Sequence, residues 1–245
     1  MTSKNKKIMV LIPAYQAAQT IGQVFARLPE EMNRKDATYV VINDGSRDET
    51  ARVVEKIAQE RDRVRLVNHP TNRGYAQAQK TGFQIALSEG FDIVALLHSD
   101  GQYPPELLPT LLAPLENDEA DLVQGSRMAH PRDALKGGMP LYKWLANISL
   151  TTLENLATGL KMSEYHSGYM LYSRKVLETV PFMRLTDTFH IDGEMLFMTA
   201  KKGLRVKILA IPTRYAEEKS HLKPVRYGFD VLKIMWNYRR GKYDF

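Results

Sequence analysis

His98, Ser99, Asp100 and Gln102 bring an imidazole, a hydroxyl, a carboxylate and an amide into one short stretch of sequence. A carboxylate in such company suits a hard divalent cation, Mg²⁺ or Mn²⁺, and an imidazole beside it tilts the choice toward Mn²⁺. On an extended strand end, side chains two apart leave the same face, so His98 and Asp100 could share one ion. An ion held there would stabilise the negative charge that a diphosphate gathers as it departs. Read blandly, the stretch is a capped turn before a helix that opens at Pro104-Pro105-Glu106, which leaves His98 and Gln102 without a task.

A second polar cluster runs Asn43-Asp44-Gly45-Ser46-Arg47-Asp48. Turn formation and helix capping account for Ser46 and Asp48. They account less well for Asp44, which is expected at a strand tip, where a carboxylate can accept hydrogen bonds from a nucleobase or ribose. Much later come Asp192 and Glu194. A transfer to a hydroxyl needs a general base, and either carboxylate could serve. Two positions apart on a helix they point about 200° apart, so one at most should face a shared site. Lys136 and Lys143 could neutralise phosphate or solvate a helix face, and His166 is either a core histidine or a neighbour of an acceptor.

These residues need a scaffold that places them together, and the apolar pattern supplies one. Runs at Ile8 to Ile12, Tyr39 to Ile42, Val64 to Val67 and Ile93 to Leu97 read as buried strands, with Ala120 to Val123 as a fifth. Helical spacing fills the gaps at Gln19 to Leu28, Glu49 to Gln59 and Gly74 to Leu87. Alternation of this kind predicts an α/β fold with a mostly parallel central sheet and helices on both faces. Ligands of such sheets bind beyond the carboxyl ends of the strands, where Pro13 to Gln16, Asn43 to Asp48 and His98 to Gln102 all fall. The second half is less regular, with helices over Leu141 to Leu160 and Asp192 to Lys201 and short strands near Tyr169 to Tyr172 and Val206 to Ile211.

A chain of 245 residues without cysteine folds on its core alone and has neither a disulfide framework nor a thiolate metal site. No apolar stretch approaches the roughly 20 residues of a membrane-spanning helix. The run Ile8 to Ile12 is too short for a signal-peptide core, so a cytoplasmic protein is expected. The net charge of +6 favours anionic partners, and its basic residues crowd the C-terminus at Lys223, Arg226, Lys233, Arg239, Arg240 and Lys242. There Val225, Phe229, Leu232 and Trp236 fall at helical spacing, with Ile234, Met235 and Tyr238 widening the face. Such a basic amphipathic helix packs on its own domain, joins a homo-oligomer, or lies through 224–243 on the inner face of a membrane. Nucleic acid is not expected, because the basic residues lack interleaved stacking aromatics.

Taken in order, Ile12-Pro13-Ala14-Tyr15, Asn43 to Asp48, Asn72-Arg73-Gly74, His98 to Glu106 and Gly125-Ser126-Arg127 resemble the family-2 glycosyltransferases, in particular the dolichyl-phosphate-mannose-synthase-like group. The resemblance implies a GT-A domain over 1–222, with a donor half at about 1–128 and an acceptor half at about 129–222, followed by the helix of 223–245. It implies a GDP- or UDP-linked sugar donor, a divalent cation, and inverting transfer to a polyprenyl phosphate or a glycan hydroxyl. By this likeness Pro13 and Tyr15 flank the nucleotide, Asp44 binds the nucleoside, and Ser99 and Asp100 lie at the donor. Asp100 and Gln102 correspond to metal and diphosphate ligands, with His98 standing where the family's stretch begins with Asp. Arg127 corresponds to a basic residue near the phosphates. The stretch Ser163 to Tyr169, with His166, resembles the reaction-centre segment, and Lys219 falls in a late loop that closes over the donor. A second departure is Ala17, where many relatives are acidic. The two departures leave one rival: a nucleotide-sugar-binding protein with weak turnover. A dehydrogenase is disfavoured, since no Gly-x-Gly-x-x-Gly follows the first strand.

Overall fold

A computed structural model describes residues 6–212 and 224–245, with side chains in the second segment described from residue 227 onward. Strands β1 (Ile8–Ala14), β2 (Ala37–Asn43), β3 (Val64–Asn68) and β4 (Ile93–Leu96) alternate with helices α1 (Ile21–Ala26), α2 (Thr50–Glu60) and α3 (Tyr75–Ser88). After α4 (Leu108–Glu116) and β5 (Leu122–Ser126) come α5 (Pro131–Lys136), α6 (Leu141–Thr158), β6 (Met170–Ser173) and α7 (Arg174–Thr179). The chain ends with α8 (Ile191–Lys201), β7 (Val206–Ala210) and α9 (Pro224–Arg239).

The strands form one sheet in the order β3-β2-β1-β4-β6-β5-β7. All neighbours are parallel except β6, which runs antiparallel to both β4 and β5. Every residue of β1 is buried because helices cover both faces, which is why its sequence is a continuous apolar run. Alternation then sorts the side chains. Ile8, Val10 and Ile12 enter one core layer, and Met9 and Leu11 enter the other. Helix α3 comes close to the sheet through small residues. A Cβ on Gly82 would lie 2.3 Å from Leu11 Cδ1, so no larger residue fits there without displacing that leucine.

The fifth strand runs further than its apolar pattern indicates, through Gln124, Gly125 and Ser126, all of them buried. Gly125 is the reason: Ile211 Cγ2 and Tyr169 would stand 2.9 and 3.3 Å from a Cβ there, so the strand leaves no apolar side chain to read. At its other end Asp121 fastens β5 to β7, accepting from Arg205 N at 2.8 Å and Arg205 Nε at 3.1 Å. Those bonds from Arg205 hold the Asp121 carboxyl down at about 2. A depressed carboxyl stabilises the fold above its unfolded pKa, near 4, and loses that contribution as pH falls toward 2. Asp121→Asn should therefore cost about 1–2 kcal/mol at neutral pH and flatten the acid limb of the stability curve, measured by urea unfolding at a series of pH values.

The C-terminal helix packs on its own chain, but with a different face from the expected stripe. Val231 and Met235 are buried, and Ile234 and Tyr238 pack into the α3-side core, whereas Phe229, Leu232 and Trp236 stay exposed. No helix among the described residues is long and apolar enough to cross a membrane.

Candidate active site

The strand order reverses direction between β1 and β4, the place where open α/β sheets form their ligand crevice beyond the carboxyl ends of the strands. Three loops on the β1-β2-β3 side are clasped by side chains. Ser46 Oγ accepts from Gln16 N at 2.9 Å, and Thr50 Oγ1 accepts from Ala17 N at 2.8 Å. Asp44, buried at the tip of β2, accepts from Arg73 N at 2.9 Å and Gly74 N at 2.8 Å, and its Oδ1 lies 2.7 Å from His69 Nδ1. Gly45 makes the clasp feasible. Its φ is +67°, and a Cβ would fall 2.4 Å from Asn72 N. Tyr15 stands half-exposed at the rim, while Pro13 is buried as a member of β1. Ala17 is buried in the core as well.

On the other side, β4 stops at Leu96 and a turn begins at Ser99. The extended geometry that would send His98 and Asp100 to one face therefore does not persist. His98 turns inward, with Nε2 2.8 Å from Tyr75 Oη and its ring edge-on to Tyr103 at 4.8 Å. Asp100 and Gln102 are exposed, and Asp100 Oδ1 accepts from Gln102 N at 3.0 Å, while Ser99 is buried. Among the described residues no three His, Asp or Glu side chains gather as a metal site. Mg²⁺ and Mn²⁺ at phosphoryl substrates commonly take one or two carboxylates and complete their shell from phosphate and water, so an exposed Asp100 with Gln102 fits such an ion.

Asp192 and Glu194 both lie in the first turn of α8 and part company as the helical spacing requires. Asp192 accepts from Tyr75 Oη at 2.9 Å and from Gln79 Nε2 at 3.0 Å, so Tyr75 bridges it to His98. Glu194 faces away from that network, accepting from Tyr243 Oη at 2.6 Å and Thr186 N at 2.7 Å. Burial raises both carboxyls above their usual range, against the opposing pull of His98 on Asp192 and of the Tyr243 bond on Glu194. Gly168 closes over this network. A Cβ there would sit 2.8 Å from His98 Nε2 and 3.1 Å from Asp192 Oδ2.

The loop that follows β5 is organised by Glu164, which is fully buried. It accepts from Arg127 N at 3.0 Å, Ser126 Oγ at 3.1 Å, Asn147 Nδ2 at 3.1 Å and Arg127 Nη2 at 3.3 Å. Arg127 Nη2 also donates to His166 O at 3.2 Å, and the guanidinium lies over Tyr103 at 5.7 Å. Arg127, His130 and Lys136 then line a cavity of about 460 Å³ with Ser126, Asp133 and Ile211. The His166 ring points elsewhere, to Tyr227 Oη at 2.8 Å and Glu154 at 3.1 Å. Lys219 lies outside the described residues.

The profile of glycosyl transferase family 2 matches residues 9–180, which takes in both sides of this crevice. The chain belongs to glycosyl transferase family 2. It is a nucleotide-sugar glycosyltransferase of the hexosyltransferase type. Among its relatives is the UDP-N-acetylglucosamine–dolichyl-phosphate N-acetylglucosaminyltransferase of Methanococcus voltae, 26% identical over 97% of this chain and 98% of that one. The undecaprenyl-phosphate mannosyltransferase of Micrococcus luteus is 26% identical over 87% of this chain and 85% of its own length. Glucosyl-3-phosphoglycerate synthase of Mycobacterium tuberculosis, in a crystal with uridine diphosphate, superposes with a TM-score of 0.70 at 19% identity, over 96% of this chain and 80% of that one. The fold of this family-2 enzyme is thus GT-A.

Sequence reasoning gave no role to Tyr75, Gln79 or His69, and none of their own to Tyr103 and Glu164, which fall inside the segments His98 to Glu106 and Ser163 to Tyr169. One signal was present. Tyr75 and Gln79 are polar-tipped residues four apart, on the face of α3 that carries buried Ala78 and Gly82.

Proposed function

We infer that this enzyme transfers a sugar, with inversion, from a nucleoside diphosphate to the phosphate of a polyprenyl lipid. The observation that carries the reading is the cavity of Arg127, His130 and Lys136, with Arg127 held by buried Glu164. A fixed guanidinium matches phosphate geometry, and Lys136, exposed beside Asp133 at 3.4 Å, is free to swing to a dianionic headgroup. The relatives named for dolichyl and undecaprenyl phosphate support the same acceptor class.

Asp192 agrees with it. A general base for a hydroxyl should be open to its substrate, whereas this carboxylate is buried under Tyr75, Gln79 and Gly168. A phosphate oxygen is already anionic. It attacks the anomeric carbon, the bond from that carbon to the donor diphosphate breaks, and the diphosphate leaves with the electron pair, so no proton need be removed. Asp192 then positions His98 through Tyr75, and Glu194 anchors the C-terminus through Tyr243. On the donor side Tyr15 flanks the nucleotide, Asp44 shapes the nucleoside pocket, and Asp100 with Gln102 would hold Mg²⁺ or Mn²⁺. That cation would neutralise charge on the departing diphosphate.

The purified chain, given UDP- and GDP-linked sugars labelled in the sugar, should move label onto a short water-soluble prenyl phosphate and leave the matching prenol untouched. Transfer to the prenol or to a glycan hydroxyl instead would overturn the reading. Asp192→Asn separates the roles further. A positioning residue should cost about tenfold or less in kcat, whereas loss of a general base typically costs 10²–10⁴-fold.

A further inference from the structure

Helix α2 shows what an ordinary water-facing helix of this protein looks like: its exposed positions are Arg52, Glu55, Lys56, Gln59 and Glu60. Helix α6 is built otherwise. Over a length of about 27 Å its exposed positions carry no charge at all, and they include Leu141, Tyr142, Leu145, Leu153 and Leu156. The two charged residues of α6 sit off that face: Glu154 is buried against His166, and Lys143 is half-buried. Helix α9 packs against α6, tied by a bond from Arg239 Nη2 to Leu156 O at 2.9 Å. It turns Phe229, Leu232 and Trp236 outward, with 68% of Phe229 and 64% of Trp236 exposed.

We propose that α6 and α9 together form a platform that seats the enzyme on an anionic lipid surface, with α6 as the principal apolar contact. Charge selects the occupant. Basic residues border the apolar stripes, with exposed Lys136 before α6, Lys161 after it, and Lys233, Arg239 and Arg240 on or beside α9. Apolar stripes with basic margins suit acyl chains below anionic headgroups, where long basic side chains reach up to the phosphates. Position agrees as well. Helix α5, which carries Lys136 of the phosphate cavity, packs directly on α6, so a seated platform brings that cavity to headgroup level. This last step rests on the lipid-phosphate reading of the acceptor, while the platform itself rests on α6 and α9.

The test is flotation of the full chain with vesicles of phosphatidylcholine mixed with phosphatidylglycerol, and of phosphatidylcholine alone. The wild-type chain should float with the mixed vesicles and less with neutral ones or at high salt. L145Q/L156Q and F229Q/W236Q should each weaken partitioning at least about tenfold, while leaving transfer to a short water-soluble prenyl phosphate unchanged. Trp236 reports independently: with Trp144 replaced by Phe, its emission should shift to the blue on mixed vesicles. Wild-type flotation of L145Q/L156Q would overturn the role of α6. Absence of wild-type flotation would overturn the platform, as would a particle of twice 28.0 kDa that these substitutions reduce to one chain. Flotation without transfer to any prenyl phosphate would leave the platform standing and remove the acceptor reading, and transfer without flotation would do the reverse.

Discussion

Asp100→Ala should lower turnover by about 10²–10³-fold while leaving the folded protein nearly as stable as before. The side chain is exposed, and its one hydrogen bond in the turn is the bond it accepts from Gln102 N at 3.0 Å. The turn has other supports, since Gly101 O accepts from Arg27 Nη1 at 3.2 Å and Arg27 pairs with Glu106 at 2.8 Å. Truncation thus removes the carboxylate without collapsing the loop. Asp100→Asn sharpens the test, because an amide oxygen can still accept from Gln102 N while the negative charge is gone. Both variants should show a weakened response of donor binding to Mn²⁺, read by calorimetry with and without the nucleoside diphosphate. Turnover of either variant at the wild-type rate would remove Asp100 from the reaction.

Glu164→Ala should be the most destabilising single change near the crevice, at about 3–5 kcal/mol. Glu164 has no exposed surface, and four donors converge on it. Its loss takes the acceptor from Asn147 Nδ2 and from the Arg127 backbone N–H, and leaves Ser126 Oγ to turn to Ser163 Oγ, 3.1 Å away. Glu164→Gln keeps the volume and part of the bonding, so a smaller cost of about 1–2 kcal/mol is expected. The functional effect is more diagnostic than the stability effect. With the guanidinium of Arg127 no longer fixed, KM for a short prenyl phosphate should rise about tenfold, equivalent to 1.4 kcal/mol, and KM for the donor should hold. Equal weakening of donor and acceptor would place Arg127 at the donor diphosphate instead. Thermal unfolding and initial-rate kinetics on the same preparations decide both points.

Much of the fold is legible in the chain because covered parallel strands carry their own signature. Ile8–Ala14 and Ala37–Asn43 are buried almost throughout, and their apolar runs say so. The direction of β6 is not legible, since four residues of Met-Leu-Tyr-Ser have the same pattern whichever way they run. Nor is the full reach of β5, where a glycine takes the place of an apolar side chain for want of room. In the crevice, Asp44 and Asp100 stand out because each follows a strand, at once or within four residues, in a turn sequence too polar for the turn alone. The Tyr75–Asp192 bond joins residues 117 positions apart, and nothing local in the chain announces such a pairing. The opposed directions of Asp192 and Glu194 follow from helix geometry, but which one meets His98 depends on how α8 docks. On α9 the apolar residues are too numerous for spacing to say which face is covered, and packing against α6 and against Phe197 of α8 decides.

The place of β6 bears on how the protein assembles. The strand comes from beyond residue 128, yet it lies between β4 and β5, both contributed by earlier residues. Without it those two strands have no hydrogen-bonded neighbour in common, so neither half of the chain carries a finished sheet. Cleavage in the segment joining α5 to α6 should therefore leave two fragments that fold only when mixed, and the intact enzyme should unfold in a single cooperative transition.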